Sequence, residues 1–179
     1  MDPRLIQKRK LRKEKYRLDR IRRLQKIFVF ISLILGLALV LNFFVVGIVQ
    51  VQGDSMLPSL SHGQKIIFQK FALNEQNLER ADVILFRDDR DRDYIKRLVG
   101  LPGEYIQILN GKVYVNGEYD QQTSAYGYTH TYSKNQWLLS DDEYFVLGDN
   151  RQVDNSIDSR FFGVIKEEKI YGKMLLIER

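Results

Sequence analysis

The segment EYIQILNGKVYV (residues 104–115) decides the fold class of this chain. Runs of Ile, Leu, Val and Tyr lie on both sides of Asn110-Gly111. An Asn-Gly pair between two such runs is the strongest local signal for a β-hairpin with a two-residue turn. A second pair, Asn116-Gly117, follows the hairpin directly. The sequence therefore predicts antiparallel β structure in this part of the chain.

Short runs rich in β-branched and aromatic residues continue this pattern on both sides of the hairpin. They are residues 64–70 (QKIIFQK), 81–86 (ADVILF), 94–99 (YIKRLV), 143–147 (EYFVL) and 173–177 (KMLLI). The consecutive charged residues 87–93 predict a solvated turn, residues 120–140 a long polar loop or irregular hairpin, and residues 165–170 one short turn of helix. We expect a mainly β fold with a compact, mostly antiparallel β-sheet domain.

Residues 27–51 form a long apolar run that contains no Asp, Glu, Lys or Arg. A helix of this length extends roughly 37 Å, and the hydrocarbon core of a bilayer is about 30 Å thick. A cleaved signal peptide has a shorter apolar core, a buried soluble helix rarely lacks a polar face over this length, and a helix lying on lipid needs a charged face. We therefore predict a retained transmembrane helix over residues 27–51.

The charge distribution orients this predicted helix. Residues 1–26 carry 12 Lys or Arg and 3 Asp or Glu, whereas the rest of the chain carries 16 and 20. Basic residues beside a first transmembrane helix stay in the cytoplasm. We predict a basic cytoplasmic tail (1–26), a single-pass anchor in the cell membrane and an extracytoplasmic domain (52–179). Anionic lipid headgroups are the simpler partner of the tail, and we expect no nucleic-acid binding.

Cysteine is absent from the sequence, which excludes disulfides, zinc–thiolate sites and a cysteine nucleophile. His62 lies in a Ser-His-Gly turn and His130 in a polar stretch, and their spacing does not suit a metal site. We expect both histidines to be surface side chains, and we predict no metal site.

Without a usable histidine, a serine nucleophile needs another base. Ser55 follows the apolar run, and Lys96 lies in a predicted strand between Ile95 and Leu98. Lysine ordinarily has a pKa near 10.4, so only about one in 2,500 is neutral at pH 7, and burial among apolar groups lowers this pKa. Each residue alone is common in a turn or on a solvent-facing strand, but the pair suggests a serine activated by a neutral amine.

A third polar segment strengthens this interpretation. GDNR (residues 148–151) follows a predicted strand, and SIDSR (residues 156–160) comes shortly after it. An Asp and an Arg two residues apart can brace a loop as an ion pair. A purely structural brace is the competing interpretation of this segment.

These segments resemble, in this order, the signature boxes of bacterial type I signal peptidases (leader peptidases). They are GDSMLP (53–58), YIKRLVGLPGE (94–104), and GDNR with SIDSR (148–151 and 156–160), while ADVILF (81–86) resembles the family's intervening strand. The resemblance covers the anchor and residues 50 to about 165, and one anchor with a short domain is most similar to Gram-positive forms. It implies a β-sheet domain of the signal peptidase type.

The resemblance implies a membrane-anchored serine endopeptidase that removes signal peptides from exported pre-proteins after small residues (Ala-X-Ala). Ser55 would attack the scissile carbonyl to form an acyl-enzyme, its backbone N–H would contribute to the oxyanion hole, and Lys96 would be the general base. The family needs no metal or cofactor. Its partners would be signal peptides and membrane lipid.

The resemblance also assigns supporting roles. Ser156 would hydrogen-bond to the Lys96 amine and orient it. Asp158 and Arg160 would form an ion pair that holds the loop, and Asp149 would support it. The residues lining the substrate pockets would be Met56, Tyr94 and Ile95. The sequence departs from the family pattern at Gly53, where some relatives have a hydroxyl residue, and in residues 152–155, a gap of four where two is usual.

Because Ser55 lies four residues after the apolar run, we expect the active site at the membrane surface. An exposed apolar surface that rests on lipid would include Met56, Leu57 and Leu60. Tethering at this depth raises the effective concentration of a membrane-bound substrate.

Other function classes are compatible with parts of the sequence. A non-catalytic relative could act as an assembly factor for surface proteins such as pilins, but it should have lost the serine or the lysine. A self-cleaving serine–lysine regulator would be cytoplasmic and have no anchor. A membrane-anchored binding module without a dyad is the remaining alternative.

Overall fold

The computed structural model describes residues 3–70, 78–123 and 127–177 of the chain. The chain divides into two compact units, Met1–Phe44 and Val45–Arg179. The predicted loop over residues 120–140 therefore lies partly outside the described residues, because residues 124–126 are not among them.

Helix α1 spans Pro3–Val45 and is followed directly by strand β1 (Val46–Gln50). Within the described residues, no helical stretch is both long and apolar enough to cross a membrane. The helix predicted over residues 27–51 is wrong at its C-terminal end, because its last residues belong to β1. Val46, Ile48 and Val49 are β-branched residues that favour strands, and β1 pairs along its whole length with the next strand.

In the described part of the chain, the larger sheet has seven strands, and neighbouring strands are antiparallel. Their spatial order is β1 (Val46–Gln50), β2 (Lys65–Lys70), β11 (Ile170–Ile177), β3 (Val83–Arg87), β4 (Asp93–Gly100), β9 (Glu143–Leu147) and β10 (Ile165–Lys166). Strand β4 lies between β3 and β9, and its Lys96 is opposite Ile84 in the register.

The smaller sheet contains the hairpin predicted from residues 104–115. Its described strands, in spatial order, are β7 (Glu118–Tyr119), β6 (Lys112–Val115), β5 (Tyr105–Leu109) and β8 (Gln136–Leu138). Asn110 and Gly111 both have positive φ, +49° and +74°. This is the backbone conformation that a two-residue hairpin turn requires, so the predicted hairpin is confirmed.

Two predictions for irregular segments need correction. Residues 165–170 do not begin as a helical turn: Ile165 and Lys166 form β10, and a short 3-10 helix follows at Glu167–Lys169. Within the predicted polar loop, β8 forms because Trp137 is buried against Phe145, with ring centroids 4.6 Å apart. The other predicted strands are present, with ends that differ by up to three residues.

The hydrophobic core joins the two sheets. One cluster packs Val99 of β4 and Phe145 of β9 against Ile106 of β5 and Trp137 of β8. These side chains are almost completely buried. Burial of this kind fixes β4 and β9 relative to each other, and the candidate site residues lie on these strands and on the loops beside them.

Candidate active site

Ser55 lies in a turn that follows β1 and that is held by several hydrogen bonds. The Gly53 N–H donates to His62 Nδ1 (3.0 Å), and the Leu57 N–H donates to the Asp54 carbonyl (3.1 Å). From the loop after β9, the Asn150 N–H donates to the Ser55 carbonyl (3.0 Å) and Asn150 Nδ2 donates to the Asp54 carbonyl (3.1 Å). The backbone on both sides of Ser55 is therefore anchored.

Lys96 extends from the central strand β4 to this turn. Its Nζ lies 2.7 Å from Ser55 Oγ, although 40 residues separate the two in sequence, and it donates to the Ile95 carbonyl (3.1 Å). Only 3% of the Lys96 residue is exposed. The lysine therefore lies on the buried side of β4, as an amine base requires.

Burial is the main influence on the charge of Lys96. Desolvation is the largest of the influences that together lower the pKa of Lys96 to about 8, and the nearby cation Arg160 acts in the same direction. The carboxylates of Asp158 and Asp149 act in the opposite direction, and neither forms a hydrogen bond or ion pair with Nζ among the described contacts. At pH 7 about a tenth of the molecules then carry a neutral Lys96 amine.

The loop after β9 is organised around Asp158. Its carboxylate pairs with Arg160 through two contacts, Nε to Oδ1 and Nη2 to Oδ2, each 2.8 Å, and both side chains are buried. Asp158 Oδ2 also accepts from the Gly148 N–H (3.0 Å) and from Ser156 Oγ (2.8 Å). Asp158 Oδ1 also accepts from the Arg160 backbone N–H (3.2 Å), which caps the short helix α2 (Ser159–Phe162), so this carboxylate connects the helix to the end of β9.

The structure does not bring Ser156 into hydrogen-bond contact with Lys96. The described hydrogen bonds of Lys96 Nζ are those to Ser55 Oγ and the Ile95 carbonyl, and the Ser156 hydroxyl donates to Asp158. Asp149 is buried and pairs with Arg97, the residue after Lys96, at 2.7 Å and 2.5 Å. The four-residue gap over residues 152–155 is thus compatible with a direct connection between this loop and β4.

Ser55 and Lys96 lie in a cleft of about 610 Å³. Its lining includes Met56, Tyr94 and Ile95, together with Asp154 and Asn155 from the lengthened loop. The cleft is therefore bounded on one side by β1 and the turn that carries Ser55, and on the other by the start of β4.

The predicted apolar surface around Ser55 needs correction. Met56 is 1% exposed and Leu60 is fully buried, because both pack in the core with Leu85, while Leu57 is half-buried. Among the described residues of this unit, the exposed apolar side chain of Ile157 lines the cleft, and the exposed Ile48 and Val153 directly precede the lining residues Val49 and Asp154.

Several residues in and around the site were not assigned roles from the sequence. Arg97, Asn150 and His62 hold the turn and the loop, and Gly148 lies against Ser55 and Ser156. Arg151 is buried and donates to the Gly148 carbonyl, Thr129 Oγ1 and the Thr123 carbonyl. Burial lowers the pKa of Arg151 to about 10. Arg97, Gly148, Asn150 and Arg151 lie within the sequence segments quoted above, and this position was the sequence signal that could have pointed to them. His62 lies outside those segments.

Among the residues that the structure describes, no group of three or more His, Cys, Asp or Glu side chains could hold a metal ion. Two buried carboxylates near Ser55 and Lys96 are paired with arginines, Asp149 with Arg97 and Asp158 with Arg160.

Comparison with known proteins identifies the family. The family model described as "Signal peptidase, peptidase S26" matches residues 24–177. The chain belongs to the signal peptidase family. Signal peptidase IB of Staphylococcus aureus (strain Mu50) is 32% identical over 148 residues, which cover 73% of this chain and 76% of that protein. Signal peptidase I of Leptolyngbya laminosa is 32% identical over 158 residues, covering 82% and 75%.

A crystal structure of a signal peptidase I from Enterococcus faecalis V583 is also similar. It matches with a TM-score of 0.47 and 30% identity, over 57% of this chain and 100% of that one. The predicted family and enzyme class are confirmed by the family model and the curated relatives. The relatives are named signal peptidases, and the S26 family is a family of serine peptidases.

Proposed function

We propose that this chain is a membrane-anchored serine endopeptidase that cleaves signal peptides after Ala-X-Ala through a dyad of Ser55 and Lys96. The observation that carries the proposal is the 2.7 Å separation between Lys96 Nζ and Ser55 Oγ in a cleft open to substrate. Family membership supports signal peptides as the substrate class. The geometry supports these two residues as the reacting pair.

The surroundings of Lys96 favour a neutral amine. An ammonium group has three N–H donors, and a neutral amine has two and one lone pair. Within the described contacts, Nζ has two partners, the Ile95 carbonyl and Ser55 Oγ. A neutral amine can donate to the carbonyl and accept the Ser55 proton with its lone pair, and burial, which lowers the pKa of Lys96 to about 8, favours this state.

The chemical steps follow from this arrangement. Ser55 Oγ attacks the scissile carbonyl carbon, its proton passes to Lys96 Nζ, and the new Oγ–C bond gives a tetrahedral intermediate. Lys96 then returns the proton to the leaving amine as the C–N bond breaks, which leaves an ester on Ser55. Lys96 then takes a proton from a water molecule whose oxygen attacks the ester carbonyl. The C–Oγ bond breaks, the proton passes from Lys96 to Ser55 Oγ, and the signal peptide is released.

The developing oxyanion needs a hydrogen-bond donor, and we assign the Ser55 backbone N–H to this role. Loss of one such donor commonly costs a hundredfold or more in rate. Gly53 offers no hydroxyl at the position where some relatives have one, so backbone geometry in this turn carries more of the stabilisation. Asn150, which donates to the carbonyls of Asp54 and Ser55, would hold the turn during the reaction.

The supporting residues act by fixing the loop after β9. The Asp158–Arg160 pair is buried, and Ser156 donates to Asp158, so we propose that Ser156 supports Lys96 through this carboxylate. Asp149 would hold β4 through Arg97. These are positioning roles, because Lys96 makes its described hydrogen bonds elsewhere.

Substrate binding is assigned to the cleft beside the dyad. Met56, Tyr94 and Ile95 line this cleft and would form the small apolar pockets that accept the two alanines of Ala-X-Ala. Met56 is almost fully buried, so it would form the floor of a shallow pocket that admits only small side chains.

We further propose that the apolar residues before β1 anchor the enzyme, with the basic N-terminal tail in the cytoplasm and the β domain outside. The excess of Lys and Arg in residues 1–26 supports this orientation. The exposed side chains of Ile48, Val153 and Ile157 would contact lipid in place of Met56 and Leu60.

The decisive experiment is cleavage of a pre-protein with an Ala-X-Ala site by the full chain in detergent or vesicles. We expect Ser55→Ala and Lys96→Ala to abolish cleavage, and rapid quenching of the wild type to trap an acyl group on Ser55. Exposed residues provide matched controls: Ser140→Ala and Lys166→Ala should cleave at the wild-type rate. Normal cleavage by either dyad variant would exclude the proposed mechanism.

A further inference from the structure

We propose that His62 is a positioning residue for the nucleophile turn, acting through the backbone of Gly53. His62 Nδ1 accepts a hydrogen bond of 3.0 Å from the Gly53 N–H, two residues before Ser55. The inference rests on the proposed role of Ser55. Nothing in the sequence motifs assigns a function to this histidine, which lies outside the three signature segments.

Gly53 needs an anchor because its backbone is held in an uncommon conformation. Its φ is +80°, in the left-handed region that glycine enters readily. Glycine also loses more conformational freedom on folding than any other residue. A Cβ at this position would have no neighbouring atom within 4 Å, so side-chain packing on that side does not restrain Gly53. The hydrogen bond from the Gly53 N–H to His62 restrains this residue instead.

The backbone around His62 is itself well fixed. The Val51 N–H donates to the Gln64 carbonyl (2.8 Å), and the Gly63 N–H donates to the Val51 carbonyl (2.9 Å). Gln50 Nε2 also donates to the Gly63 carbonyl (2.9 Å). These bonds extend the pairing of β1 with β2 and place the His62-Gly63 turn beside residues 51–53. The His62 imidazole therefore contacts the Gly53 N–H from a turn whose backbone is itself held by hydrogen bonds.

His62 and Asn150 hold the turn from its two ends. Asn150 fixes the carbonyls of Asp54 and Ser55, and His62 fixes the amide that precedes them. The peptide group between Asp54 and Ser55 carries the proposed oxyanion donor. Rotation at Gly53 would tilt this peptide and move both the Ser55 N–H and Ser55 Oγ relative to Lys96.

The chemistry of the contact gives a specific test. An imidazole nitrogen accepts a hydrogen bond only when it carries no proton, so His62 must be neutral with its proton on Nε2. Asn has an acceptor oxygen bonded to the same Cγ position, so His62→Asn keeps the acceptor and removes the ring. His62→Ala removes both. His130→Ala is the matched control, since His130 is exposed, its ring packs at a tilt against Tyr128, and it does not line the cleft.

The experiment compares these variants of the full chain in detergent micelles. We expect His62→Ala to lower kcat about tenfold with KM changed less than about twofold, the rate equivalent of one ordinary hydrogen bond. His62→Asn should stay within about threefold of the wild type, and His130→Ala should equal it. Hydrogen–deuterium exchange at the Gly53 amide should be about tenfold faster in His62→Ala and unchanged in His62→Asn.

Equal losses in His62→Ala and His62→Asn would overturn the inference, because the ring and not the acceptor would then matter. Unchanged exchange at Gly53 in His62→Ala would overturn it as well. If the wild-type chain cleaves no pre-protein, the proposed function fails, and the exchange measurement still decides whether His62 anchors Gly53.

Discussion

The guanidinium of Arg97 and the carboxylate of Asp149 form a two-point ion pair between β4 and the loop after β9. The two contacts are Nε to Oδ1 at 2.7 Å and Nη2 to Oδ2 at 2.5 Å, and the Asp149 side chain is 1% exposed. Arg97 follows Lys96, and Asp149 precedes Asn150, which contacts the Ser55 carbonyl. One ion pair therefore connects the strand of the proposed base to the turn of the proposed nucleophile.

Removal of Arg97 should destabilise the domain strongly. In Arg97→Met, Asp149 would remain buried without its ion-pair partner, and we expect a loss of about 3 kcal/mol in the free energy of unfolding. The double variant Arg97→Met/Asp149→Leu should recover part of this loss, because no buried charge is left unpaired. Urea unfolding of the solubilised full chain measures both changes.

A surface pair provides the control for this prediction. Lys166 and Asp142 lie 3.8 Å apart, and both side chains are more than half exposed. Lys166→Met should cost less than about 1 kcal/mol. The loss of unfolding free energy in the double variant could equal the sum of the losses in Arg97→Met and Asp149→Leu measured singly. In that case the ion pair would not couple β4 to the loop after β9.

The pH dependence of cleavage should report Lys96. Burial lowers the pKa of Lys96 to about 8, and the base must be neutral. We therefore expect kcat/KM to rise with pH to a plateau above about 8, and to fall about tenfold per unit below that midpoint. Asp158 raises this pKa, so Asp158→Asn should move the midpoint to lower pH, while Asp141→Asn should leave it in place. A flat profile between pH 6 and 9 would contradict Lys96 as the base.

A side chain at position 148 should displace the turn that carries Ser55. A Cβ on Gly148 would lie 2.5 Å from the Ser55 carbonyl oxygen, and closer still to Ser156 Oγ. The Ser55 turn must therefore shift in Gly148→Ala, and we expect kcat/KM to fall about a hundredfold. Gly36→Ala in α1 is the control, because a Cβ there meets no atom within 4 Å. Wild-type kinetics in Gly148→Ala would show that the turn tolerates displacement.

The charges along the cleft should influence which peptides are cleaved quickly. Among the described residues that line the cleft, Asp54, Asp93 and Asp154 carry carboxylates, and Lys96 is the basic residue. Asp93 is paired with Arg87 at 2.9 Å. We expect a peptide with Glu beside the cleavage site to be cleaved about twofold to fivefold more slowly than its Gln counterpart.

Two substitutions separate a local charge effect from a general one. Asp154→Asn should reduce the difference between the Glu and Gln peptides, because Asp154 lies on the cleft. Asp141→Asn, which changes an exposed carboxylate outside the lining, should preserve it. Equal cleavage of the two peptides by the wild type would refute the prediction.

The local patterns predicted most of the β structure. The hairpin around Asn110-Gly111 forms because two residues with positive φ connect two alternating strands, and both requirements are local. The start of β1 was not predicted, because an apolar run such as residues 27–51 has the composition of both a helix and a buried strand. Pairing with β2, from Gln50 with Lys65 to Val46 with Gln69, determines where the helix stops, and these partners lie far apart in sequence.

The sequence by itself determined the family, the class of enzyme and the candidate pair, since Ser55 and Lys96 lie in segments with recognisable order. The tertiary structure alone decided what surrounds them. Burial lowers the pKa of Lys96, and the ring of His62 accepts a hydrogen bond from the Gly53 N–H. The Met56 side chain is buried in the core, and the Ser156 hydroxyl donates to Asp158 and not to Lys96. These properties depend on distances and solvent exclusion between residues far apart in sequence, which no local pattern specifies.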